Sequence, residues 1–175
     1  MVLASSALDD NQVFQGFCPV WSGDDIYFMR LALEEAERAE HWDEVPIGAV
    51  LVMDGKLVAR GYNTPIRLND PTAHAEIQAL RSAGEWLRNY RMPEATLYVT
   101  LEPCLMCFGA LIQARVSRVV FGAPDPKVGV SRWREVVENA NVNHRFELQG
   151  GLLEEECRTI LQEFFKRRRM ASRTE

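Results

Sequence analysis

The sequence predicts an α/β fold, a three-layer α/β/α sandwich in which helices cover both faces of a mixed, five-stranded sheet. Three observations lead there. Asp54-Gly55 sits between two β-rich runs, a strong short-range hairpin signal. Beyond it, strand-like runs alternate with helical ones long enough to lie across a sheet. No internal repeat or low-complexity tract interrupts that alternation.

Residues 1–22 mix small, polar and scattered apolar residues without a sustained period, and read as an appended arm; the folded domain is expected over 23–175. Asp24 offers an N-cap, and Ile26, Met29, Leu33 and Ala36 fall on one stripe of an amphipathic helix running from Ile26 to Glu40. Gly48 to Met53 and Lys56 to Gly61 are the hairpin strands. Asn63 to Thr72 is polar, carries Pro65 and Pro71, and reads as a loop. It delivers the chain to a helix that starts near His74, ends about Asn89 and buries Ile77, Leu80 and Leu87. Thr96 to Thr100 is a strand, and Pro103 suits the start of a helix from Cys104 to about Ala114. Arg118 to Phe121 and Phe146 to Leu148 are short strands, and a last helix spans about Leu153 to Arg169.

With 47% apolar residues the chain can bury one core. No apolar run approaches the roughly 18 to 20 residues of a membrane span, and the N-terminus lacks the layout of a secretion signal. No membrane partner is expected, and the expected location is the cytoplasm. The net charge of −5 argues against indiscriminate binding to nucleic acid. A local basic patch nonetheless ends the chain at Lys166, Arg167, Arg168 and Arg169. Cys18 and Cys157 lie far apart in unrelated segments and read as ordinary free thiols.

Two short runs carry the chemistry, His74-Ala75-Glu76 and Pro103-Cys104-Leu105-Met106-Cys107. One imidazole and two thiolates hold Zn²⁺ tetrahedrally and leave the fourth position for water. Cys104 and Cys107, three apart in the first turn of a helix, project from one face, and His74 opens another helix. The positive ends of two helices favour thiolates there. Cys-x-x-C alone also suits half of a structural zinc ribbon or a redox pair, but the ribbon needs a second pair and the redox motif has no use for His-x-Glu. Glu76 is placed to carry protons to and from the water without ligating the metal, so one catalytic Zn²⁺ per subunit and no organic cofactor are expected.

His-Ala-Glu with a downstream Pro-Cys-x-x-Cys resembles the signature of the zinc nucleobase deaminases. The resemblance sharpens over Glu44 to Val50, Asp70 to Ile77, Thr96 to Cys104 and Arg118 to Ala123, with Asn143-His144-Arg145 and Phe164 to Arg169 beside them. Together these stretches are similar to bacterial tRNA-specific adenosine deaminases from about Glu44 to Arg169.

That resemblance implies a cytidine deaminase-like fold and hydrolysis of the wobble adenosine of an arginine tRNA anticodon to inosine. A zinc-activated water attacks C6 of a flipped-out adenine while Glu76 moves the protons. It places Asn63 against the base, where the bland role is that of a turn residue. Val45, Ile47 and Phe165 become apolar walls, which core packing explains nearly as well. Asp125 and Lys127 approach the anticodon backbone, and Arg167 and Arg168 hold phosphates or merely complement a helix end. A homodimer is expected, with Leu111 and Ile112 as positions that serve either an interface or a core. Departures are Phe108 after the second cysteine, Thr64 beside Asn63, and Val128 to Trp133 after Lys127. Two other readings stay open: deamination of a small free substrate such as guanine or deoxycytidylate, and a non-catalytic, zinc-stabilised RNA-binding subunit.

Overall fold

The structure is a computed structural model that describes residues 20–139 and 141–172. Most of the arm, with Cys18, lies outside the described residues. The sheet has the order β2-β1-β3-β4-β5, built from β1 (Gly48–Met53), β2 (Lys56–Tyr62), β3 (Thr96–Leu101), β4 (Arg118–Ala123) and β5 (Glu147–Gly150). It is mixed: β1 runs antiparallel to β2 and β3, while β4 runs parallel to β3 and β5. The β1–β2 connection is the Asp54-Gly55 turn, both residues having positive φ (50° and 68°) as a right-twisted hairpin demands. The parallel pairs need crossovers, which α4 (Leu105–Ala114) and α5 (Arg134–Asn139) provide.

Strand alternation then builds two cores. Ala49, Leu51, Leu97, Val99 and Val119 point to the layer of α3 (Ala75–Leu87) and α4. Val50, Val52, Tyr98 and Val120 point to the layer beneath α1 (Gly23–His41), in the cluster that also takes Cys157 of α6 (Glu154–Ala171). The three layers are therefore those expected from the sequence.

Several details differ from it. The N-cap of α1 is Ser22, not Asp24, because Ser22 and Asp25 form a reciprocal capping box that satisfies two backbone donors. Its buried stripe is Asp25, Phe28, Met29, Ala32, Glu35, Ala36 and Ala39, so Ile26 and Leu33 lie at its margin. In α3 the buried positions are Ala75, Glu76, Ala79 and Ala83, while Ile77, Leu80 and Leu87 are half-buried. Small residues win there because α3 lies almost on the backbone of β2. A Cβ on Gly61 would stand 2.3 Å from the Ala75 carbonyl oxygen and 2.4 Å from the Ala79 nitrogen. Gly61→Ala is expected to cost roughly 1–3 kcal/mol by overpacking, read as a lower midpoint in thermal unfolding; an unchanged midpoint would mean α3 stands farther off. A short helix, α2 (Pro65–Leu68), occupies the expected loop after β2. Leu111 and Ile112 belong to the chain's own core, and the exposed apolar residues of α4 are Leu105 and Met106. Phe108 is likewise buried, its ring 4.8 Å from that of Phe146.

Asp25 joins the layers. Its carboxylate accepts from Tyr98 Oη (2.8 Å), Arg118 Nη1 (2.6 Å) and the Ser22 backbone (3.0 Å). Burial raises its pKa, but the Arg118 guanidinium and the Ser22 and Tyr98 donors override that and hold it down at about 2. A depressed carboxylate contributes stability above its unfolded pKa and loses it as pH falls through the folded value. Acid denaturation of the protein is thus expected to gain a component between about pH 4 and 2, on the order of 2 kcal/mol. Asp25→Asn would remove it, which urea titrations at pH 7 and pH 3 measure.

Candidate metal and active site

Two helix starts converge. His74 is the N-cap of α3 and Cys104 the N-cap of α4, each on extended backbone where a loop or strand becomes a helix. His74 Nδ1 lies 3.7 Å from Cys104 Sγ and 3.6 Å from Cys107 Sγ. Zinc bonds of about 2.3 Å to sulfur and 2.0–2.1 Å to nitrogen, at tetrahedral angles, put N and S roughly 3.6 Å apart. The residues fit that ion. Among the described residues no fourth His, Cys, Asp or Glu joins the cluster.

The protons on the cluster agree with a cation site. Cys104 is held down at about 4, first by the hydrogen bond with the Cys107 thiol and then, against its burial, by His74. That same bond, with burial, pushes Cys107 far up. The two sulfurs thus differ in proton affinity, Cys104 favouring the thiolate and Cys107 the thiol, and a cation held by both would need Cys107 to give up its proton. His74 is shifted up, chiefly by its bond to Cys104 against its burial. Glu76, 4% exposed, is pushed up to about 6 by burial, with the Cys104 sulfur adding to that effect. A carboxyl that titrates there both accepts and returns a proton near neutral pH.

His74 forms part of the wall of a cavity of about 940 Å³. Val45, Ile47, Asn63, Asp125, Lys127 and Phe165 line it too, so the fold brings these six to one cavity with His74, while Glu76, Cys104 and Cys107 lie behind that wall. Asn63 Oδ1 accepts from the Ala75 backbone N–H at 2.9 Å, satisfying an otherwise unpaired donor at the start of α3. That commits the oxygen and leaves the NH₂ end of the amide for a ligand. Asp125 Oδ1 accepts from the N–H groups of Lys127 (2.8 Å) and Val128 (3.2 Å), so its carboxylate shapes the loop it stands in.

Arg167 and Arg168 are not among the lining residues. Arg167 pairs with Glu40, and Arg168 with Asp43 at 2.9 Å, on the side where α6 meets the end of α1. Lys166 and Arg169 of the same basic run line the cavity, as do Arg158, Leu161 and Gln162. The spacing 158, 161, 162, 165, 169 is one helical face. Once Phe165 is placed on the wall, that period names the rest and excludes Arg167.

Two buried carboxylates absent from the candidate residues hold the walls. Glu102 accepts from the backbones of Asp125 (3.0 Å) and Ser131 (2.7 Å), and the Val130 N–H donates to the Pro103 carbonyl (3.0 Å). The loop with the divergent sequence Val128 to Trp133 is thereby fastened to the corner that carries Cys104. Glu44 accepts from the N–H groups of Ile66 (3.3 Å) and Arg67 (2.7 Å) and fixes α2 at the cavity's edge. Neither has a signal of its own; each stands beside a stretch already singled out.

A family model for MafB19-like deaminases matches residues 23–169, which includes all five strands and the cluster, so fold and site together are those of a deaminase. The tRNA-specific adenosine deaminase of Haemophilus influenzae is 46% identical over 153 residues, covering 86% of this chain and 88% of that one. A solved structure of a tRNA:A34 deaminase, from a study of A-to-I editing at the wobble position of transfer RNA, superposes with a TM-score of 0.74 at 49% identity, covering 77% of this chain and 99% of that one. A guanine deaminase structure from Bacillus subtilis is more distant, at 28% identity and a TM-score of 0.54, with 69% of this chain and 98% of that one covered. The chain belongs to the tRNA-specific adenosine deaminases.

Proposed function

We propose that this protein is an enzyme that hydrolyses adenosine to inosine at the wobble position of a tRNA anticodon, with arginine tRNA as substrate, and releases ammonia. The observation that carries the reading is the buried carboxyl of Glu76 beside the His74, Cys104 and Cys107 cluster, whose His74 stands in the cavity wall, in a chain of this family. His74, Cys104 and Cys107 would hold one Zn²⁺, which supplies Lewis acidity and a water of lowered pKa. Glu76 takes one proton from the attacking water and gives it to the purine ring nitrogen, then takes the second from the oxygen newly bonded to C6 and gives it to the amine, which leaves as ammonia; its raised pKa suits both transfers. Asn63 offers its NH₂ group to the base, while Val45, Ile47 and Phe165 exclude water from its faces.

Lys127, Lys166 and Arg169 line the same cavity. Their charges fit the phosphates of an RNA loop and have no partner on a neutral free base. The second reading, deamination of free guanine, draws on the likeness to the guanine deaminase and is the weaker for that reason. The deaminase domain takes in Trp21, which packs against the second core, and Ser22, which caps α1, so it begins before the expected boundary at residue 23. Among the described residues no helix is long and apolar enough to cross a membrane; a cytoplasmic homodimer, with Leu105 and Met106 at its contact, completes the proposal.

The test is to incubate purified, zinc-loaded protein with arginine tRNA and sequence the wobble position. Inosine there, and no ammonia from free adenosine, cytidine or guanine, is expected. Ammonia from free guanine with an unedited tRNA would give the site to the second reading.

A further inference from the structure

Beside the catalytic cavity, on the far side of α2, the surface carries a row of alternating arginines and aromatic rings. Pro65 at the start of α2 lines the catalytic cavity, whereas Arg67 and Leu68 line a second groove of about 330 Å³. Arg38 stacks over the Tyr62 ring with its Cζ 5.0 Å from the centroid. Arg67 donates from Nη1 to the Tyr62 hydroxyl at 3.4 Å and lies over the Trp42 ring at 4.3 Å. The order Arg38, Tyr62, Arg67, Trp42 is therefore continuous, and it ends on a tryptophan 51% exposed.

Arg38 has Glu35 as its partner, but among the described residues no carboxylate pairs with the Arg67 guanidinium. With its Cζ over the indole and Nη1 on the Tyr62 hydroxyl, Arg67 keeps further N–H groups for something else. An exposed indole beside a guanidinium group suits an unpaired base, which stacks on any π-face, and the phosphate next to it. The backbone of α2 is tied down by the buried Glu44 carboxylate, so the row is held at a fixed offset from the cavity.

We propose that the Trp42–Arg67 stack is a second RNA-binding element. It receives an unpaired nucleotide flanking the edited adenosine, the base on the exposed indole and its phosphate at the Arg67 guanidinium. The inference rests on the reading of the cavity as an RNA deaminase site. Its contribution is to holding the loop, not to the chemistry.

The zinc-loaded protein is assayed on an arginine anticodon stem-loop as wild type, Trp42→Ala, Trp42→Phe, Arg67→Ala and Arg67→Lys, with kcat and KM separated at several salt concentrations. Loss of one stacked base is expected to raise KM roughly tenfold in Trp42→Ala, with kcat unchanged and Trp42→Phe close to wild type. Arg67→Ala is expected to lower the slope of log KM against log salt by about 1, with Arg67→Lys retaining it. Circular dichroism confirms that each variant folds; Trp42→Leu, which keeps apolar bulk without a π-face, replaces Trp42→Ala if that one does not. Wild-type KM and salt slope in both alanine variants overturn the inference. A wild-type protein that edits no RNA loop overturns instead the reading on which it rests.

Discussion

Zinc stays bound to a Glu76→Ala variant while its turnover falls by several powers of ten. The size follows from the two jobs the carboxyl does. General base and general acid steps are each worth about 10²–10⁴-fold, and one group performs both. Retention of the metal follows from the geometry, because Glu76 is not among the three donors whose spacing fits the ion. Glu76→Gln sharpens the result, since it preserves the shape of a buried side chain and removes only the titration. It should lose as much activity as the alanine variant. Metal analysis and single-turnover ammonia release measure the two quantities. Zinc lost together with activity would make Glu76 a ligand, and a modest loss of rate would assign the proton transfers elsewhere.

Most of the architecture was legible because its signals are local. A two-residue turn fixed the hairpin, and period-2 and period-3.6 patterns located strands and helices within a few residues. What the pattern missed were positions decided by close approach. Alanines cover the buried face of α3 because Gly61 lets that helix sit on the strand, and the large apolar residues Ile77, Leu80 and Leu87, which a periodic pattern favours, stand at its margin. Leu111 and Ile112 were ambiguous for a related reason: an apolar stripe looks the same whether the chain or another copy covers it. Their burial inside the first core decides for the chain itself.

At the site, the three donors and Glu76 were readable since each depends on spacing along one or two helical turns. Charge near a cavity was harder. The run Lys166 to Arg169 offers four like residues; helical phase sets Arg167 apart, but Lys166 and Arg168 lie about equally far from the face of Phe165, and it is the ion pairs of Arg167 with Glu40 and of Arg168 with Asp43 that tell the two pairs apart. The supporting carboxylates Glu44 and Glu102 were out of reach because they bind backbone N–H groups about 23 to 29 residues away in sequence, a relation no local period encodes.

Cys104→Ala should abolish metal binding and activity together, and lower the thermal midpoint without unfolding the protein. A zinc finger lacking one ligand unfolds because its metal replaces a core. Here two cores flank a five-stranded sheet, so the ion adds to a fold that stands by other means. A ligand present at about 1,000 times its Kd stabilises by about 4 kcal/mol, and for a domain of this size each kcal/mol moves the midpoint by about 2–4 °C. The expected drop is therefore roughly 10 °C. Wild-type protein stripped with a chelator should melt at the same temperature as the variant, and added Zn²⁺ should restore the former only. Stoichiometric zinc in Cys104→Ala would remove that sulfur from the ligand set. A variant that fails to fold while chelated wild type stays folded would instead trace the defect to the start of α4, where Cys104 also serves as N-cap.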